Sequence, residues 1–391
     1  MVAKINADTS GGLKITSDTS GTLEIQSAGT TKFTVNSAGV DIPAIGTIDG
    51  LTSINGGQVG GSRNKIINGA IEINQRGTAA VAVDQGFPSD RWKTAEAGGG
   101  NMTCQVVADA PASFRNSIKV IASTADDCSQ AADEYRIVQR IEGNNVVDLY
   151  YGASGAKTTT LSFWVKSSLT GNFPVGLENS ASNRSLVKQY NIAQADTWEK
   201  KSVTFVGDET GTWLITNGIG LGVSFVLGAG SNYTNTIDAW QAARVYRGSS
   251  SVQMMATVNA TWFVTGVQLE VGSTATEFEY RSIGDELALC QRYFQFVGNF
   301  SAIGGSTTQL VASLNYQTAM RAAPTLSVEG VIQVGSGTAD HVQSSAAVSS
   351  LTTDAFSSIC FLANMTPNVV AKDPYILRVA NGNKIGLAAE L

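Results

Sequence analysis

The first forty residues repeat a short pattern of alternating apolar and polar positions, with a spacing of ten residues. Residues 8–15 and 18–25 are near copies, and residues 31–35 continue the pattern. Within each unit, two apolar residues flank one polar residue, which predicts a short strand with one apolar face. The Ser, Asp, Thr and Gly residues between the units predict turns. The apolar positions of this repeat are Leu13, Ile15, Leu23, Ile25, Phe33 and Val35.

A unit of this size cannot fold alone, because two buried side chains do not offset roughly 1–2 kcal/mol of backbone entropy per ordered residue. Stacking against copies in neighbouring chains would bury each apolar face and remove exposed strand edges. The repeat therefore predicts an intertwined fibrous shaft in a homotrimer, with the six apolar positions as its core. A glycine-rich hinge at residues 45–61 closes this first region, residues 1–62. A polar N-terminal tail is the alternative interpretation.

From residue 63 to residue 282 the pattern changes to longer strands separated by turn clusters. The clearest strand patterns cover residues 117–121, 161–166, 202–206, 221–227 and 262–271. About 220 residues of such strands are typical of one β-sandwich of the jelly-roll type. We therefore predict an all-β protein in which this jelly-roll, similar to a carbohydrate-binding module, forms the central domain.

One helix is predicted between this domain and the rest of the chain. Ser282 is a suitable N-cap, and Asp285 and Glu286 follow in the first turn. Roughly helical spacing then joins Leu287, Leu289, Cys290, Phe294 and Val297. Strand patterns return beyond the helix, so residues 283–391 are predicted to be a linking helix followed by a small distal β-sandwich.

Two tryptophans stand out within the predicted jelly-roll. Strict alternation puts Trp164 opposite Leu161, Phe163 and Val165, and it puts Trp262 opposite Phe263 and Val267. Both faces of these strands would then be apolar, although one face of a two-layer sandwich should meet water. The second face would be covered by a neighbouring subunit, by another segment of the chain, or by a sugar stacked on the rings.

Composition narrows the classes of function. The chain has 26 basic and 32 acidic residues, a net charge of −6 and no long basic cluster, so no nucleic-acid partner is predicted. No run of about eighteen apolar residues and no N-terminal signal segment is present, which predicts neither membrane insertion nor secretion. The four cysteines are widely spaced and indicate neither a disulfide framework nor a zinc site.

Catalytic chemistry has little support in the sequence. His341 is the only histidine. The neighbouring Asp340 would point to the opposite face of a strand, so the two do not suggest a catalytic pair. Pairs of carboxylates that could hydrolyse a glycan are available, for example Asp126 and Asp127, but nothing singles one out. We predict no catalytic residue, no cofactor and no metal ligand, and leave open whether the sandwich binds calcium.

Several phrases resemble bacteriophage tail-fibre and related receptor-binding virion proteins. They include NKIINGA at residues 64–70, NQRG at 74–77, DRW at 90–92, LSFWVKSS at 161–168, TGVQLEVGS at 265–273, FEYRS at 278–282, ELALCQRY at 286–293 and MRAAPT at 320–325. The resemblance implies a homotrimer that assembles in the bacterial cytoplasm, becomes part of a virion and attaches to host-surface glycans or proteins. These motifs are structural and bring no ligand-contacting residue with them.

The sequence therefore predicts a non-enzymatic tail fibre that joins a tail or other virion protein through its N-terminal end. Its distal domain would contact the host through polar loops that include Thr307, Asp340, His341 and Asn364. A glycan-degrading tail spike and a fibre that decorates the head or collar are the alternative interpretations.

Overall fold

The computed structural model describes residues 63–82, 84–297, 316–325 and 386–391 with their side chains, and elsewhere chiefly the backbone of the strands given below. The chain divides into two compact units, Met1–Thr52 and Ser53–Leu391. The division lies inside the glycine-rich hinge that the sequence predicts.

The first unit contains an antiparallel three-stranded sheet. Its strands are β1 (Leu23–Ser27), β2 (Thr30–Asn36) and β3 (Gly39–Asp41), in the order β1-β2-β3. The register pairs Leu23 with Val35 and Ile25 with Phe33. Successive repeats thus pair with each other at their apolar positions within one chain. Leu13 and Ile15 lie outside the described residues, and the predicted intertwining of chains stays a prediction.

The second unit begins with a two-stranded ladder and continues into the sandwich. The ladder strands are β4 (Ser53–Ile54) and β5 (Gly57–Gln58). The sandwich strands are β6 (Lys93–Ala97), β7 (Asn101–Val107), β8 (Ser117–Thr124), β9 (Glu134–Glu142), β10 (Thr159–Ser167), β11 (Gly171–Glu178), β12 (Ser185–Ile192), β13 (Glu199–Phe205), β14 (Ile219–Ala229) and β15 (Thr261–Val271). Short 3-10 turns lie at Gly143–Asn145, Val147–Leu149, Ser231–Tyr233 and Met254–Ala256.

Two five-stranded antiparallel sheets form the sandwich, in the orders β13-β10-β15-β8-β7 and β12-β11-β14-β9-β6. The chain crosses between the sheets several times, as in a jelly-roll. Aromatic side chains fill the space between the sheets: the Phe163 ring lies 5.0 Å from the Phe225 ring and 4.9 Å from the Tyr190 ring. All three rings are buried, so burial of apolar surface provides the main stabilisation of this layer.

The structure corrects the predicted orientation of Trp262. Its ring is fully buried between the sheets, 5.3 Å from the Phe225 ring, and its indole Nε1 donates to the Tyr190 hydroxyl at 3.0 Å. Strict alternation fails because β15 has a bulge at Gly266, where φ is +61° and the register against β10 shifts. Trp262 therefore offers no surface to a sugar or a second subunit, and the prediction of an outward face is wrong.

Helix α1 (Ile283–Gln291) follows the sandwich, and the Ser282 hydroxyl caps it by accepting from the Asp285 backbone N–H at 3.2 Å. The predicted helix start is confirmed, but the predicted extension to Val297 is wrong. Phe294–Val297 forms strand β16 instead. Its apolar residues are also compatible with a strand. They form one here because a strand from a distant segment, described next, pairs with them.

Two sheets use the remaining strands. These strands are β17 (Phe300–Ser306), β18 (Gln309–Asn315), β19 (Thr325–Glu329), β20 (Ile332–Gly335), β21 (Asp340–Gln343), β22 (Ala347–Thr353), β23 (Ser357–Ala363), β24 (Pro374–Val379) and β25 (Lys384–Ala388). The sheet orders are β16-β25-β19 and β21-β20-β24-β17-β18-β23-β22. The last strand, β25, thus pairs with the strand that follows the helix.

The end of the chain packs against the base of the sandwich. Glu390 forms ion pairs with Arg76 and Arg91. The Arg91 guanidinium lies 3.5 Å from the centre of the Tyr293 ring, and that of Arg76 lies 3.5 Å from the centre of the Phe294 ring. These stacked cations tie the segment after the helix to the sandwich.

Candidate functional site

The loop between β9 and β10 builds one wall of a concave surface at the sandwich. The Gly143 and Asn144 backbone N–H groups donate to the carbonyls of Gly218 and Thr216, both at 2.9 Å. A Cβ on Gly143 would lie 2.4 Å from the Leu214 carbonyl oxygen, so glycine permits this close approach. The loop is therefore fixed to residues 214–218, which lead into β14.

Tyr150 lies at the tip of this loop in a left-handed conformation, with φ +57° and ψ +26°. That conformation is uncommon for a bulky residue and costs of order 1–3 kcal/mol. Two anchors support it: Leu149 is 1% exposed in the core, and the Lys157 N–H donates to the Leu149 carbonyl at 2.8 Å. Tyr150 is 57% exposed. The fold therefore holds an exposed aromatic ring in an unfavourable backbone conformation.

A cleft of about 520 Å³, lined by polar and apolar side chains, lies on one side of Tyr150. Its lining residues come from the start of the sandwich, from the Tyr150 loop and from the helix region, and comprise Asn64, Lys65, Ile67, Asn144, Asn145, Val147, Asp148, Tyr150, Arg281 and Leu289. The volume is within the range of about 300–1,000 Å³ that is usual for small-ligand sites.

Some polar groups of this cleft are used in building its walls. The Asn64 amide accepts from the N–H groups of Ile66 and Leu269 and donates to the Val267 carbonyl. The Arg281 guanidinium donates to the carbonyls of Asn64 and Ile66. Asn64 and Arg281 therefore position the wall rather than serve as the main groups for a ligand.

Other polar groups face the open space. Lys65 Nζ lies 2.9 Å from both carboxylate oxygens of Asp148. The Asp148 side chain is still 31% exposed. Asn144 Nδ2 donates to Glu142 at 2.9 Å, which leaves its amide oxygen for other donors. Asn145 is exposed. The cleft thus presents both acceptors and donors beside an aromatic ring.

A small apolar pocket of about 30 Å³ lies on the other side of Tyr150. Val147 and Tyr150 line both the cleft and this pocket, so these two side chains form the ridge between them. Val146, Leu149, Leu214 and Leu221 are among its other lining residues.

The aromatic neighbours of the apolar pocket bond their polar atoms elsewhere. Trp213 Nε1 donates to Asp208 at 3.1 Å, and the Tyr151 hydroxyl bonds to Thr159 Oγ1 at 3.1 Å. Burial raises the pKa of Tyr151 to about 12, so its hydroxyl stays protonated at neutral pH. Burial alone would raise the pKa of Asp208, but hydrogen bonds, that from Arg184 foremost, lower it below its usual range.

This arrangement can bind a ligand that has both apolar faces and hydroxyl groups. An exposed aromatic ring can pack against the C–H face of a flat, hydroxylated ligand, while amides and a carboxylate meet its hydroxyls. Among the residues lining the cleft, Asp148 is the one acid. Asp90, Glu96 and Asp133 have pKa values raised chiefly by burial, and none of them lines the cleft.

The sequence-predicted aromatic residues lie elsewhere. Trp164 is half-buried on the outer face of its sheet, paired with Lys200 on β13 and Thr265 on β15. Its predicted outward orientation agrees with the structure, and a role towards a glycan or subunit stays a prediction. Near this face, the Phe263 ring lies 6.1 Å from the Trp198 ring, so segments of the chain itself cover part of the sheet.

The predicted contact residues of the distal domain are not brought into this site. Thr307 and Asn364 lie outside the described residues. Asp340 and His341 begin strand β21 and pair with Gly335 and Val334, where a loop was predicted, and their side chains lie outside the described residues.

Sequence reasoning missed Tyr150. One local signal was available: two adjacent tyrosines, Tyr150 and Tyr151, follow the turn-forming residues 143–145 and precede Gly152. Aromatic residues beside turn residues are expected on loops, where binding residues concentrate. The cleft itself has no local signal, because its walls come from three segments far apart in sequence.

Metal and membrane sites find no support in the described part of the chain. Within those residues, no group of three or more His, Cys, Asp or Glu side chains could hold a metal ion. Cys104, Cys128 and Cys290 are free and buried, and burial raises the pKa of each thiol. No helix among the described residues has the length and hydropathy needed to cross a bilayer.

No protein-family model matches the chain, and a comparison with curated protein sequences gives no match. Among solved structures, the chain is similar to the enzymatically active domain of tailspike protein 4 from bacteriophage CBA120. That match has 12% identity and a TM-score of 0.29, and covers 53% of this chain but 21% of the tailspike chain.

Two further solved structures show comparable similarity. A family 11 carbohydrate-binding module from Clostridium thermocellum, in complex with a β-1,3-1,4-mixed-linked tetrasaccharide, matches with 12% identity and a TM-score of 0.27, over 51% of this chain and 99% of the module. The apo form of a cyclase from Fischerella sp. matches with 14% identity and a TM-score of 0.32, over 55% and 98% of the two chains. All these TM-scores are below 0.5, so none of these functions is transferred to the chain.

Proposed function

We propose that the protein is a non-enzymatic, receptor-binding fibre of a bacteriophage, and that its sandwich binds a glycan of the bacterial surface in the cleft beside Tyr150. The observation on which this rests is the exposed Tyr150 ring, held in a strained conformation at the edge of a cleft of about 520 Å³. Strained backbone positions of this kind cluster at binding and active sites.

The chemistry of the cleft supports a sugar as ligand. The ring of Tyr150 provides a platform, and Asp148, Lys65 and the amides of Asn144 and Asn145 provide hydrogen-bonding groups around it. Sugar rings need this combination, because they have apolar faces and polar edges. A nucleic acid is disfavoured by the net charge of −6.

The fibre part of the proposal rests on the sequence. The ten-residue repeat and the phrases that resemble tail-fibre proteins support a homotrimer with its shaft at the N-terminal end. In such a fibre, three copies of the cleft would act together, and weak individual sites would gain avidity. Static light scattering on the purified chain should give a mass of about three chains.

A glycan-degrading spike is the competing proposal. Glycoside hydrolysis generally needs two carboxyl groups about 5–10 Å apart across the scissile bond. The cleft has the single acid Asp148 among its lining residues, and that carboxylate is paired with Lys65. This favours binding without cleavage.

One experiment tests both the proposed glycan binding and the proposed absence of glycan cleavage. The purified chain is incubated with a panel of immobilised bacterial surface polysaccharides, and retained protein and released oligosaccharide are measured together. The proposal predicts retention on at least one polysaccharide without release of oligosaccharide. Release would support the spike, and a folded trimer that is retained on none would contradict the proposed glycan binding.

A further inference from the structure

The apolar pocket beside Tyr150 has the size of one small group, and most of its surface is apolar. Its volume of about 30 Å³ exceeds the roughly 10–15 Å³ that one water molecule needs, so the pocket can hold a group slightly larger than water. A buried water normally needs two to four polar partners. Two polar side-chain groups of the lining residues, Trp213 Nε1 and the Tyr151 hydroxyl, bond to Asp208 and Thr159. A methyl group therefore fits this pocket better than water does.

The ridge between the pocket and the cleft is built by a four-residue segment of the loop. Val147 and Tyr150 line both spaces, and Asp148 and Leu149 between them line the cleft and the pocket respectively. A ligand that lies on the Tyr150 ring can therefore place a short substituent across the ridge. The substituent must end in an apolar group and must start from a ring in the cleft.

An acetamido group meets both conditions. Its methyl group would occupy the apolar pocket, while its amide N–H and carbonyl oxygen would stay on the polar side of the ridge. There the Asn144 amide oxygen can accept, and the exposed Asn145 amide can both donate and accept. A 6-deoxy sugar supplies a methyl group as well, but it brings no amide to pair with these side chains.

We propose that the apolar pocket lined by Val146, Leu149 and Leu214 is a specificity pocket for the methyl group of an N-acetylated sugar. This inference rests on the proposed glycan-binding function and names its substrate class. A pocket of this type distinguishes ligands that differ by one methyl group. Such ligands usually differ in affinity by roughly tenfold or more.

The test uses defined trisaccharides and the full-length chain in isothermal titration calorimetry. The probes are the trisaccharides of N-acetylglucosamine and N-acetylgalactosamine, the parent glucose and galactose trisaccharides, and a rhamnose trisaccharide. We expect an acetylated probe to bind about tenfold or more tightly than its parent. Equal affinity for acetylated and parent probes, or tightest binding of the rhamnose probe, would overturn the pocket assignment and leave glycan binding intact.

Two variants locate the selectivity. Leu214→Trp fills the pocket from a position that is 38% exposed, and Leu214→Ala removes one wall. Both should reduce the preference for the acetyl group to less than about threefold while the parent sugar still binds. Val258→Trp is the matched control, since Val258 is 56% exposed and lines neither the pocket nor the cleft. Unchanged acetyl preference in both Leu214 variants would refute the assignment, whereas failure of the wild type to bind any saccharide would contradict the proposed function itself.

Discussion

Lys65 Nζ lies 2.9 Å from each carboxylate oxygen of Asp148 and joins the first segment of the sandwich to the loop that presents Tyr150. The Lys65 side chain is 11% exposed, so Asp148 rather than water is the main polar partner of its ammonium group. Asp148→Asn should therefore destabilise the protein by about 1–3 kcal/mol, the usual effect of losing a hydrogen bond to a charged group. Denaturant unfolding followed by fluorescence measures this change.

A weaker ion pair provides the control. Lys188 and Asp238 lie 3.4 Å apart, with 63% of the Asp238 side chain exposed. Asp238→Asn should change stability by less than about 0.5 kcal/mol. Equal effects of the two substitutions would show that the Lys65 pair does not fix the loop.

The bulge at Gly266 yields a second prediction. A Cβ at this position would lie 2.5 Å from the Phe114 ring, and φ is +61°. Gly77 also has positive φ, at +88°, but a Cβ added there would have no atom within 4 Å. Gly77→Ala should lower the free energy of unfolding by about 1 kcal/mol, through backbone strain alone. Gly266→Ala should lower it by at least about 1 kcal/mol more, because its Cβ also clashes with Phe114. Adding Phe114→Leu to Gly266→Ala should restore part of the difference, and no restoration would argue against the clash.

Asp90 makes stability depend on pH. Burial raises its pKa to about 6 despite the hydrogen bonds from Gln75 and the charge of Arg76. In the unfolded chain the carboxyl titrates near 3.8, so the folded state binds the extra proton between these values. The stability that Asp90 contributes in its protonated form should therefore fall as pH rises from about 4 to about 6, by up to about 3 kcal/mol.

Asp90→Asn removes this titration. Stability of the wild type relative to Asp90→Asn should decline over the same pH range and then stay level above about pH 7. Unfolding by urea at a series of pH values gives the comparison. A stability difference that does not depend on pH would mean that Asp90 titrates normally in the folded protein.

The end of the chain should contribute to the stability of the sandwich. Glu390 pairs with Arg76 and with Arg91, whose side chain is 3% exposed. Glu390→Gln should lower the free energy of unfolding by about 1–3 kcal/mol, because Arg91 and Arg76 both lose an ion pair, although Arg76 keeps Asp90 at 3.9 Å. Glu277→Gln is the control, since Glu277 is 95% exposed in its pair with Lys200 and should have little effect. Equal unfolding midpoints for the two variants would contradict the role of Glu390.

The contacts of the last residues with the sandwich also mean that residues after Val297 cannot be deleted without disturbing the rest of the fold. Strand β25 pairs with β16, so a chain cut after Val297 would lose the partner of that strand as well as Glu390. A defect of such a truncated protein in adsorption would not locate the receptor site. Substitutions of single surface residues are the cleaner approach.

The strand pattern of the sandwich could be predicted from the sequence, because alternation is a local signal. Residues 161–166 and 221–227 lie inside β10 and β14, and the N-cap at Ser282 is where its side chain and the acidic residues after it indicate. Two local signals led to wrong predictions. The pattern across Gly266 hides a bulge that reverses the face of Trp262, and the spacing through Phe294 fits a helix until its partner strand is known.

The cleft could not be predicted, because it exists through contacts between distant segments. Lys65, Asp148 and Arg281 lie far apart in sequence and meet through the fold. Nor does composition distinguish Tyr150, which has a left-handed backbone and is exposed, from Tyr151, which packs 5.0 Å from the Trp213 ring.

The affinity of Tyr150→Ala for the polysaccharide that the wild type binds tests the central claim most directly. Tyr280→Ala is the matched control, because Tyr280 is 58% exposed and lies outside the cleft, while Tyr150 is 57% exposed. Loss of a stacked aromatic ring at the centre of a binding site typically costs about 2 kcal/mol or more, about thirtyfold in affinity. With both variants folded, Tyr150→Ala should bind at least about thirtyfold more weakly while Tyr280→Ala binds like the wild type; undiminished binding by Tyr150→Ala would contradict the account.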